Sequence, residues 1–250
     1  MIPIVIKKRT LIAVIVIIAI LVAVVAGVSV KVSDEVAAKN RLLPVYSVET
    51  DGKVALTFDA AWGADQTRKI MDEVEKYGYK CTFFLTGFWI KENEELVKEI
   101  AERGHLIGNH SENHKHLSEV SDLNAETDSV SAEIERLTGQ KPAYFRAPYG
   151  EYDNALITAV ESKGMQCVQW SVDSLDWKGI SAGEIADRVS GKLNSGDIVL
   201  MHNASAHIVE ALPLILLSIQ NKGLQAVRLD EMIYKDGYTI NSEGRQILNR

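Results

Sequence analysis

Two histidines four residues apart, His110 and His114, are the residues of this sequence best suited to hold a metal ion. Side chains at that spacing share one face of a helical turn, so two imidazole nitrogens can reach the same cation. Such pairs also occur by chance in chains that bind no metal. The spacing therefore indicates a site only if other reactive residues are brought to the same place.

Other polar residues follow short apolar runs that are typical of buried β-strands. A single Asp or His in such a position is more often a cap, a turn or a structural residue. Here five strand ends carry them: Asp59 after residues 54–58, His110 after 106–108, Arg146 after 144–145, Asp173 and Asp176 after 170–172, and His202 after 198–201. Because the carboxyl ends of parallel strands meet at one edge, these positions predict one shared site.

The elements that would position these residues alternate regularly between strands and helices. Apolar runs predict strands at residues 54–58, 81–85, 106–108, 144–146, 167–170, 198–201 and 224–227. Amphipathic stretches predict helices at residues 66–77, 94–103, 125–138, 155–163, 182–193 and 209–221. This alternation favours parallel strands with helices outside them. We expect an α/β fold, an irregular (β/α)7-type barrel with its site at the carboxyl ends of the strands.

Residues 11–30 form an uncharged apolar run, long enough to cross a bilayer as one helix. Lys7, Lys8 and Arg9 precede it and place the N-terminus in the cytoplasm by the positive-inside rule. Small residues at Ala26 and Gly27 leave a cleaved signal peptide as the alternative. The expected layout is a cytoplasmic N-terminus (1–10), a transmembrane anchor (11–30), a tether (31–52), an extracytoplasmic domain (53–235) and a polar tail (236–250).

The charge balance excludes nucleic acid as a partner. The chain has 27 Lys and Arg against 34 Asp and Glu, and three of those basic residues precede the anchor. The remaining domain is therefore strongly acidic and offers no basic surface for phosphates. Cys81 and Cys167 are too few for a disulfide framework and lie in apolar runs, which favours core packing over a bridge or a reactive thiol.

The five polar groups together resemble the polysaccharide deacetylases of the NodB-homology type, carbohydrate esterase family 4. The similarity spans about residues 53–231. It is carried, in order, by Thr57-Phe58-Asp59, His110-Ser111-Glu112-Asn113-His114, Arg146-Ala147-Pro148-Tyr149, Asp173-Ser174-Leu175-Asp176-Trp177 and Leu200-Met201-His202. The anchor and the Thr-Phe-Asp-Ala-Ala-Trp-Gly sequence look most like the sporulation-associated branch of spore-forming bacteria. The resemblance implies the irregular barrel of that family.

The resemblance also implies a role for each matching residue. Asp59 takes the position of the general base, and Arg146 would hold its carboxylate. His202 takes that of the general acid, with Asp176 orienting it and Asp173 close by. The other roles fall to His110 and His114 as metal ligands, to the backbone N–H of Tyr149 as donor to the oxyanion, and to Trp177 and Leu200 as walls of the acetyl-methyl pocket.

Ala60 departs from the family pattern, in which a second aspartate ligates the metal. Alanine cannot coordinate a cation, whereas catalytic zinc sites keep three protein ligands. Water or another side chain could complete the sphere, the metal could bind weakly, or the site could act without metal. Candidate replacements are Glu112, Asp65 and His116. Of these alternatives we favour a divalent metal, zinc by preference, held by His110, His114 and water.

The function expected from this resemblance is hydrolysis of N-acetyl groups on a cell-wall glycan of the peptidoglycan type, with a link to sporulation. The enzyme would be anchored in the cell membrane by residues 11–30, with its catalytic domain outside. Ala60 supports an alternative, a catalytically degenerate glycan-binding protein of the same fold. A third possibility is hydrolysis of small cyclic amides, against which the predicted anchor argues.

Overall fold

The computed structural model of this chain describes residues 41–249. The predicted transmembrane anchor and the first part of the predicted tether lie outside the described residues. Within residues 41–249, no helix is both long and apolar enough to span a membrane.

A parallel sheet of eight strands forms the centre of the fold. Its strands are β2 (Lys53–Ala60), β3 (Thr82–Leu85), β4 (Leu106–Asn109), β5 (Tyr144–Phe145), β6 (Gln166–Cys167), β7 (Val172–Asp173), β8 (Ile198–His202) and β9 (Gln225–Val227). Their order in the sheet is β6-β5-β4-β3-β2-β8-β7, and β9 also pairs with β2, beside β8. The predicted α/β class with parallel strands is confirmed.

The sheet is a half-barrel and differs in this respect from the predicted seven-unit barrel. Its edge strands β6 and β7 have no ladder between them in the described region. The sequence pattern predicted one strand at residues 167–170, whereas the structure has β6 ending at Cys167 and β7 beginning at Val172. Only four residues separate them, whereas adjacent parallel strands need a crossover of a dozen or more. The two edges therefore cannot pair in parallel.

Seven helices connect and cover the strands in the described region. They are α1 (Thr67–Lys76), α2 (Gly87–Glu92), α3 (Glu94–Glu102), α4 (Leu123–Thr138), α5 (Asn154–Ser162), α6 (Ala182–Lys192) and α7 (Ile208–Asn221). Local signals set their ends. Asp122 accepts hydrogen bonds from two N–H groups at the start of α4, and Ser181 and Glu184 form a capping box on α6.

Alternation along β2 separates the core from the candidate site. The side chains of Leu56, Phe58 and Ala60 belong to the main apolar cluster between the sheet and the helices, and all three are fully buried. Thr57 and Asp59 point to the opposite face, since successive side chains of a strand alternate. Both faces of β2 are covered, as in other parallel sheets.

A second, smaller sheet contains residues that the sequence analysis assigned outside the domain. Here β1 (Ser47–Val48) pairs in parallel with β11 (Arg245–Leu248), which pairs antiparallel with β10 (Tyr238–Ile240). Val48 is fully buried, and Gly196 is required beside it because a Cβ there would lie 1.8 Å from the Val48 carbonyl oxygen. The end of the predicted tether and most of the predicted tail therefore fold with the domain.

Candidate active site

A cleft of about 680 Å³ opens at the carboxyl ends of the central strands. Its volume lies in the range of small-ligand sites. Nine of the ten residues assigned a role by resemblance line it: Asp59, His110, His114, Tyr149, Asp173, Asp176, Trp177, Leu200 and His202. The tenth, Arg146, is fully buried and contacts Asp59. The structure therefore brings these residues together at one end of the sheet.

Asp59 is held by a buried arginine. Arg146 Nη1 donates to Asp59 Oδ1 at 2.7 Å and to Thr57 Oγ1 at 2.8 Å, while Nη2 donates to the Gln169 carbonyl. The guanidinium also lies over the ring of Phe84. Burial works to raise the pKa of Asp59, but the charge of Arg146, followed by neighbouring histidines, holds it below its ordinary value. The carboxylate is therefore ionised and fixed in position.

His110 is held in one tautomer by the backbone. Its Nδ1 lies 2.8 Å from the Arg146 carbonyl oxygen, which can only accept, so Nδ1 carries the proton. The lone pair is therefore on Nε2, which lies 3.5 Å from Asp59 Oδ2. Burial lowers the pKa of His110, although the charge of Asp59 opposes this. A neutral imidazole with a fixed tautomer is the form that ligates metal ions.

His114 reaches the site through an irregular turn. The predicted helical face is absent, because Ser111 and His114 both have left-handed backbones, with φ of 68° and 51°. The turn is closed by the His114 N–H donating to Ser111 Oγ. The rings of His110 and His114 nevertheless lie 5.0 Å apart. Burial, followed by the charge of His110, lowers the pKa of His114 to about 4.

His202 faces Asp59 and is oriented by a second carboxylate. His202 Nδ1 lies 2.8 Å from Asp176 Oδ1, and the His202 backbone N–H donates to Asp176 Oδ2. Burial works to lower the pKa of His202, but the hydrogen bond and charge of Asp176 and the charge of Asp59 raise it above its ordinary value. Asp59 and His202 are register partners on β2 and β8. The two residues therefore lie side by side.

The remaining predicted residues form the walls of the cleft. Leu200 is almost fully buried, whereas Trp177 and Tyr149 are each more than half exposed. Tyr149 has a left-handed backbone and its hydroxyl donates to the His114 carbonyl. Asp173 Oδ1 accepts from the Leu175 N–H, which fixes the turn that leads to Asp176.

None of the candidate replacements for the missing metal ligand lies with the two histidines. Glu112 is paired with Lys91 and Ser129, and His116 with Glu151. Asp65 lines a separate cleft between α1 and α3. Ala60 itself packs in the core. Within the described region, no group of three or more His, Cys, Asp or Glu side chains is arranged to hold a metal.

The two histidines themselves suit a cation. His114 Nδ1 is buried and has no hydrogen-bond partner among the described residues, and His110 presents the lone pair of Nε2. Both rings are neutral near pH 7, since burial lowers both pKa values. The donor set therefore fits a divalent metal with two protein ligands, one fewer than the family pattern.

Two residues at the cleft escaped the sequence analysis as site residues. Trp62 is 63% exposed and touches the edge of the His114 ring. Asn203 is buried. Its side-chain amide donates hydrogen bonds to the Gly63 carbonyl and to Thr67 Oγ1, and its backbone N–H donates to the Asp59 carbonyl. A tryptophan three residues after Asp59, in a turn, was a usable signal, whereas the contacts of Asn203 depend on the fold.

Comparison with known proteins places this chain in a family. Residues 47–168 match the family model of the polysaccharide deacetylases. The chain is 38% identical to a peptidoglycan-N-acetylglucosamine deacetylase of Bacillus cereus, over 72% of this chain and 68% of that protein. It is 31% identical to the peptidoglycan-N-acetylmuramic acid deacetylase PdaA of Bacillus subtilis, over 73% of this chain and 72% of PdaA.

Another relative is longer than the region it shares with this chain. The chain is 33% identical to YlxY of Bacillus subtilis, an uncharacterized protein, over 76% of this chain but only 60% of YlxY.

Solved structures with a similar fold come from the same class of proteins as the relatives found by sequence. The fold matches BA3943 of Bacillus anthracis, a family 4 carbohydrate esterase pseudoenzyme, with a TM-score of 0.74 and 29% identity over 77% of this chain and 69% of that one. A BA3943 mutant with restored enzymatic activity matches with a TM-score of 0.73. The peptidoglycan N-acetylglucosamine deacetylase Bc1960 also gives 0.73, with 33% identity over 76% of this chain and 92% of that one. The chain therefore belongs to the polysaccharide deacetylase family.

Proposed function

We propose that this chain is a hydrolase that removes N-acetyl groups from a cell-wall glycan of the peptidoglycan type. The observation that carries the proposal is the pairing across β2 and β8. Arg146 lowers the pKa of Asp59 and favours its ionised form, and Asp176 raises the pKa of the neighbouring His202 and favours its protonated form. A module that only binds glycan requires neither proton-transfer group. Relatives named as peptidoglycan deacetylases support the same substrate class.

Asp59 is the general base in this proposal. Its carboxylate takes a proton from a water molecule, whose oxygen then forms a bond to the carbonyl carbon of the acetamide. Arg146 keeps the carboxylate ionised and aims it into the cleft. The backbone N–H of Tyr149 stabilises the oxyanion of the tetrahedral intermediate. Leu200 and Trp177 both line the cleft, and in this proposal they enclose the acetyl methyl group.

His202 is the general acid. As the carbon–nitrogen bond breaks, the imidazolium donates its proton to the departing nitrogen, so that acetate and a free amino sugar are released. Asp176 raises the pKa of His202 through a hydrogen bond and its charge, which favours the protonated acid before this step. Asp173 adds negative charge nearby. The surroundings of the acid and the base therefore favour the opposite protonation states that the reaction needs.

A divalent metal, zinc by preference, would be held by His110 and His114. When bound, it would polarise the acetyl carbonyl and lower the pKa of bound water. Ala60 supplies no third ligand, so we propose that the ion is held more weakly than in a site with three protein ligands. Water completes its coordination in this proposal.

The alternative is a glycan-binding protein that has lost turnover. Ala60 favours it, and so does the likeness to BA3943, which is called a pseudoenzyme. The complete pairs around Asp59 and His202 favour catalysis instead.

We further propose that the chain acts in the sporulation of a spore-forming bacterium. In this proposal residues 11–30 anchor it in the cell membrane with the domain outside.

Acetate release separates these functions. The full chain is assayed on peptidoglycan, on N-acetylglucosamine oligomers and on a small cyclic amide, each with and without a chelator. We expect acetate from the glycans, and a loss of activity with chelator that added zinc restores. Glycan binding with no acetate from any glycan would favour the degenerate protein. Hydrolysis of the cyclic amide alone would contradict the proposed substrate class.

A further inference from the structure

Glu126 is a buried carboxylic acid residue that the proposed chemistry does not use. It lies in the first turn of α4 and is only 3% exposed. Glutamate is rarely buried to this degree unless its carboxylate has partners, because burying a polar group without hydrogen bonds is costly. The groups that donate to this carboxylate therefore indicate what the residue does.

The donors belong to the turn that carries His114. Glu126 Oε2 accepts from the Asn113 backbone N–H at 2.9 Å, and Glu126 Oε1 accepts from Asn113 Nδ2, also at 2.9 Å. The backbone carbonyl of Glu126 accepts from the Glu112 N–H at 2.8 Å. Three hydrogen bonds therefore join one residue of α4 to the two residues that precede His114.

The turn needs this support because its backbone conformation is unfavourable. Ser111 and His114 both lie in the left-handed region, and residues other than glycine persist there only where the surrounding structure fixes them. The start of the turn is fixed by Asn109, whose Oδ1 accepts from the Ser111 N–H. Asn109 Nδ2 donates to the Thr127 carbonyl and to Ser131 Oγ, both on α4. Asn109 and Asn113 therefore tie both ends of the turn to the same helix.

The two proposed metal ligands differ in how their rings are oriented. The ring of His110 is fixed by a hydrogen bond from Nδ1 to the Arg146 carbonyl. In contrast, His114 Nδ1 is buried and has no hydrogen-bond partner within residues 41–249. The backbone of the turn therefore does more to place the ring of His114 than to place that of His110. Asn113, which Glu126 holds, directly precedes His114 in that backbone.

We propose that Glu126 is a positioning residue, a buried hydrogen-bond acceptor on α4 that holds Asn113 so that the ring of His114 lies beside that of His110. The inference rests on the proposed function for the metal that the two rings hold, whereas the support of the turn itself does not require a metal. Removing a group that orients a metal ligand typically lowers metal affinity about ten- to a hundredfold.

Zinc affinity, measured on the full chain by competition with a chromophoric chelator, tests the role. Glu126→Ala leaves both Asn113 donors without their acceptor and should weaken zinc binding about tenfold or more. Glu126→Gln should keep most of the affinity, because its oxygen still accepts the Asn113 N–H and its NH2 can meet the Asn113 side-chain oxygen after that amide turns over. Val130→Ala is the matched control, since it leaves a cavity under α4 but removes no bond to the turn, and it should bind zinc as the wild type does.

Amide hydrogen exchange on the zinc-free chain tests the support of the turn without the metal. The His114 N–H donates to Ser111 rather than to Glu126, so its exchange reports on the turn as a whole. It should exchange about tenfold faster or more in Glu126→Ala and at the wild-type rate in Val130→Ala.

An unchanged zinc dissociation constant or an unchanged His114 exchange rate in Glu126→Ala would overturn the inference. Equal losses of affinity in Val130→Ala or in Glu126→Gln would also overturn it, since they would show general destabilisation or an effect of charge. A wild-type chain that binds no zinc, together with faster His114 exchange in Glu126→Ala, would contradict the proposed metal site and leave the positioning role standing.

Discussion

Two separate buried partners set the protonation states of Asp59 and His202. Arg146 lowers the pKa of Asp59 against the effect of burial, and Asp176 raises that of His202 against the same effect. Pairs of titratable groups whose environments move their pKa values apart are typical of acid–base catalysis. The residue types were readable from the sequence, but the contacts that set these states required the fold.

Asp176→Asn tests the role assigned to that carboxylate. Activity should follow a bell-shaped pH profile, with an acid limb from Asp59 and an alkaline limb from His202. Because Asp176 raises the pKa of His202, the neutral amide should move the alkaline limb to lower pH and reduce kcat about tenfold or more. The measurement is kcat/KM for acetate release between pH 5 and about 10. An unchanged alkaline limb would show that His202 is not the titrating acid.

Zinc binding should depend on the two site histidines. His110→Ala removes the nitrogen that the Arg146 carbonyl orients toward the cleft, so bound zinc should fall at least tenfold. Elemental analysis after equilibration with micromolar zinc and gel filtration measures it. His116→Ala is the matched control, since that ring pairs with Glu151 outside the set, and it should retain the wild-type content. Equal zinc in His110→Ala would rule out the proposed ligands.

At the scale of the element, the register of β2 explains both the site and its missing ligand. Asp59 faces the cleft, while Ala60 packs with the apolar cluster under the helices. The methyl side chain of Ala60 is fully buried in this core. Loss of the carboxylate therefore removes a ligand and places an apolar side chain where packing favours one.

Ala60→Asp should reveal this conflict. Without metal, a buried carboxylate lacks a partner, so the melting temperature should fall by several degrees. If the side chain reaches the histidines, zinc should restore the melting temperature by binding the folded state. Thermal melts with zinc and with chelator measure both effects, and Ala60→Asn is the neutral control. A variant as stable as the wild type in chelator would contradict the packing argument.

The sequence predicted the elements with long apolar runs and missed those without them. The central strands and six of the seven helices follow from periodicity, and their ends carry the site residues. β10 and β11 have mostly polar or partly exposed residues, and β11 pairs with β1 from the far end of the chain. Such pairing between distant segments leaves no local signal. The predicted tether and tail boundaries differ from the fold for that reason.

At the scale of the whole molecule, buried histidines link stability to pH. Nδ1 of His105 accepts a hydrogen bond from the Cys81 N–H, and Nε2 of His105 is hydrogen-bonded to Glu75 Oε1. Burial lowers its pKa to about 4, compared with about 6.5 in an unfolded chain. Between those two pKa values the unfolded state binds more protons than the folded state, so the free energy of unfolding rises with pH. The contribution of His105 to stability is lost as pH falls through this window.

His105→Gln should therefore flatten the pH dependence of stability. The wild-type contribution lost between pH 6.5 and 4 is about 3 kcal/mol at most for this group. Urea unfolding at several pH values in that window measures the slope. His116→Gln, an exposed histidine, should leave the slope unchanged. An identical slope for His105→Gln and the wild type would contradict the linkage.

The central claim is that Asp59 and His202 act together as base and acid. The most direct test is acetate release from an N-acetylglucosamine oligomer by the wild type, Asp59→Asn, His202→Ala and the double variant. Residues that act as a unit have non-additive effects. We predict that each single change lowers kcat at least a hundredfold and that the double variant is little worse than either. Near-wild-type acetate release by either single variant would contradict the account.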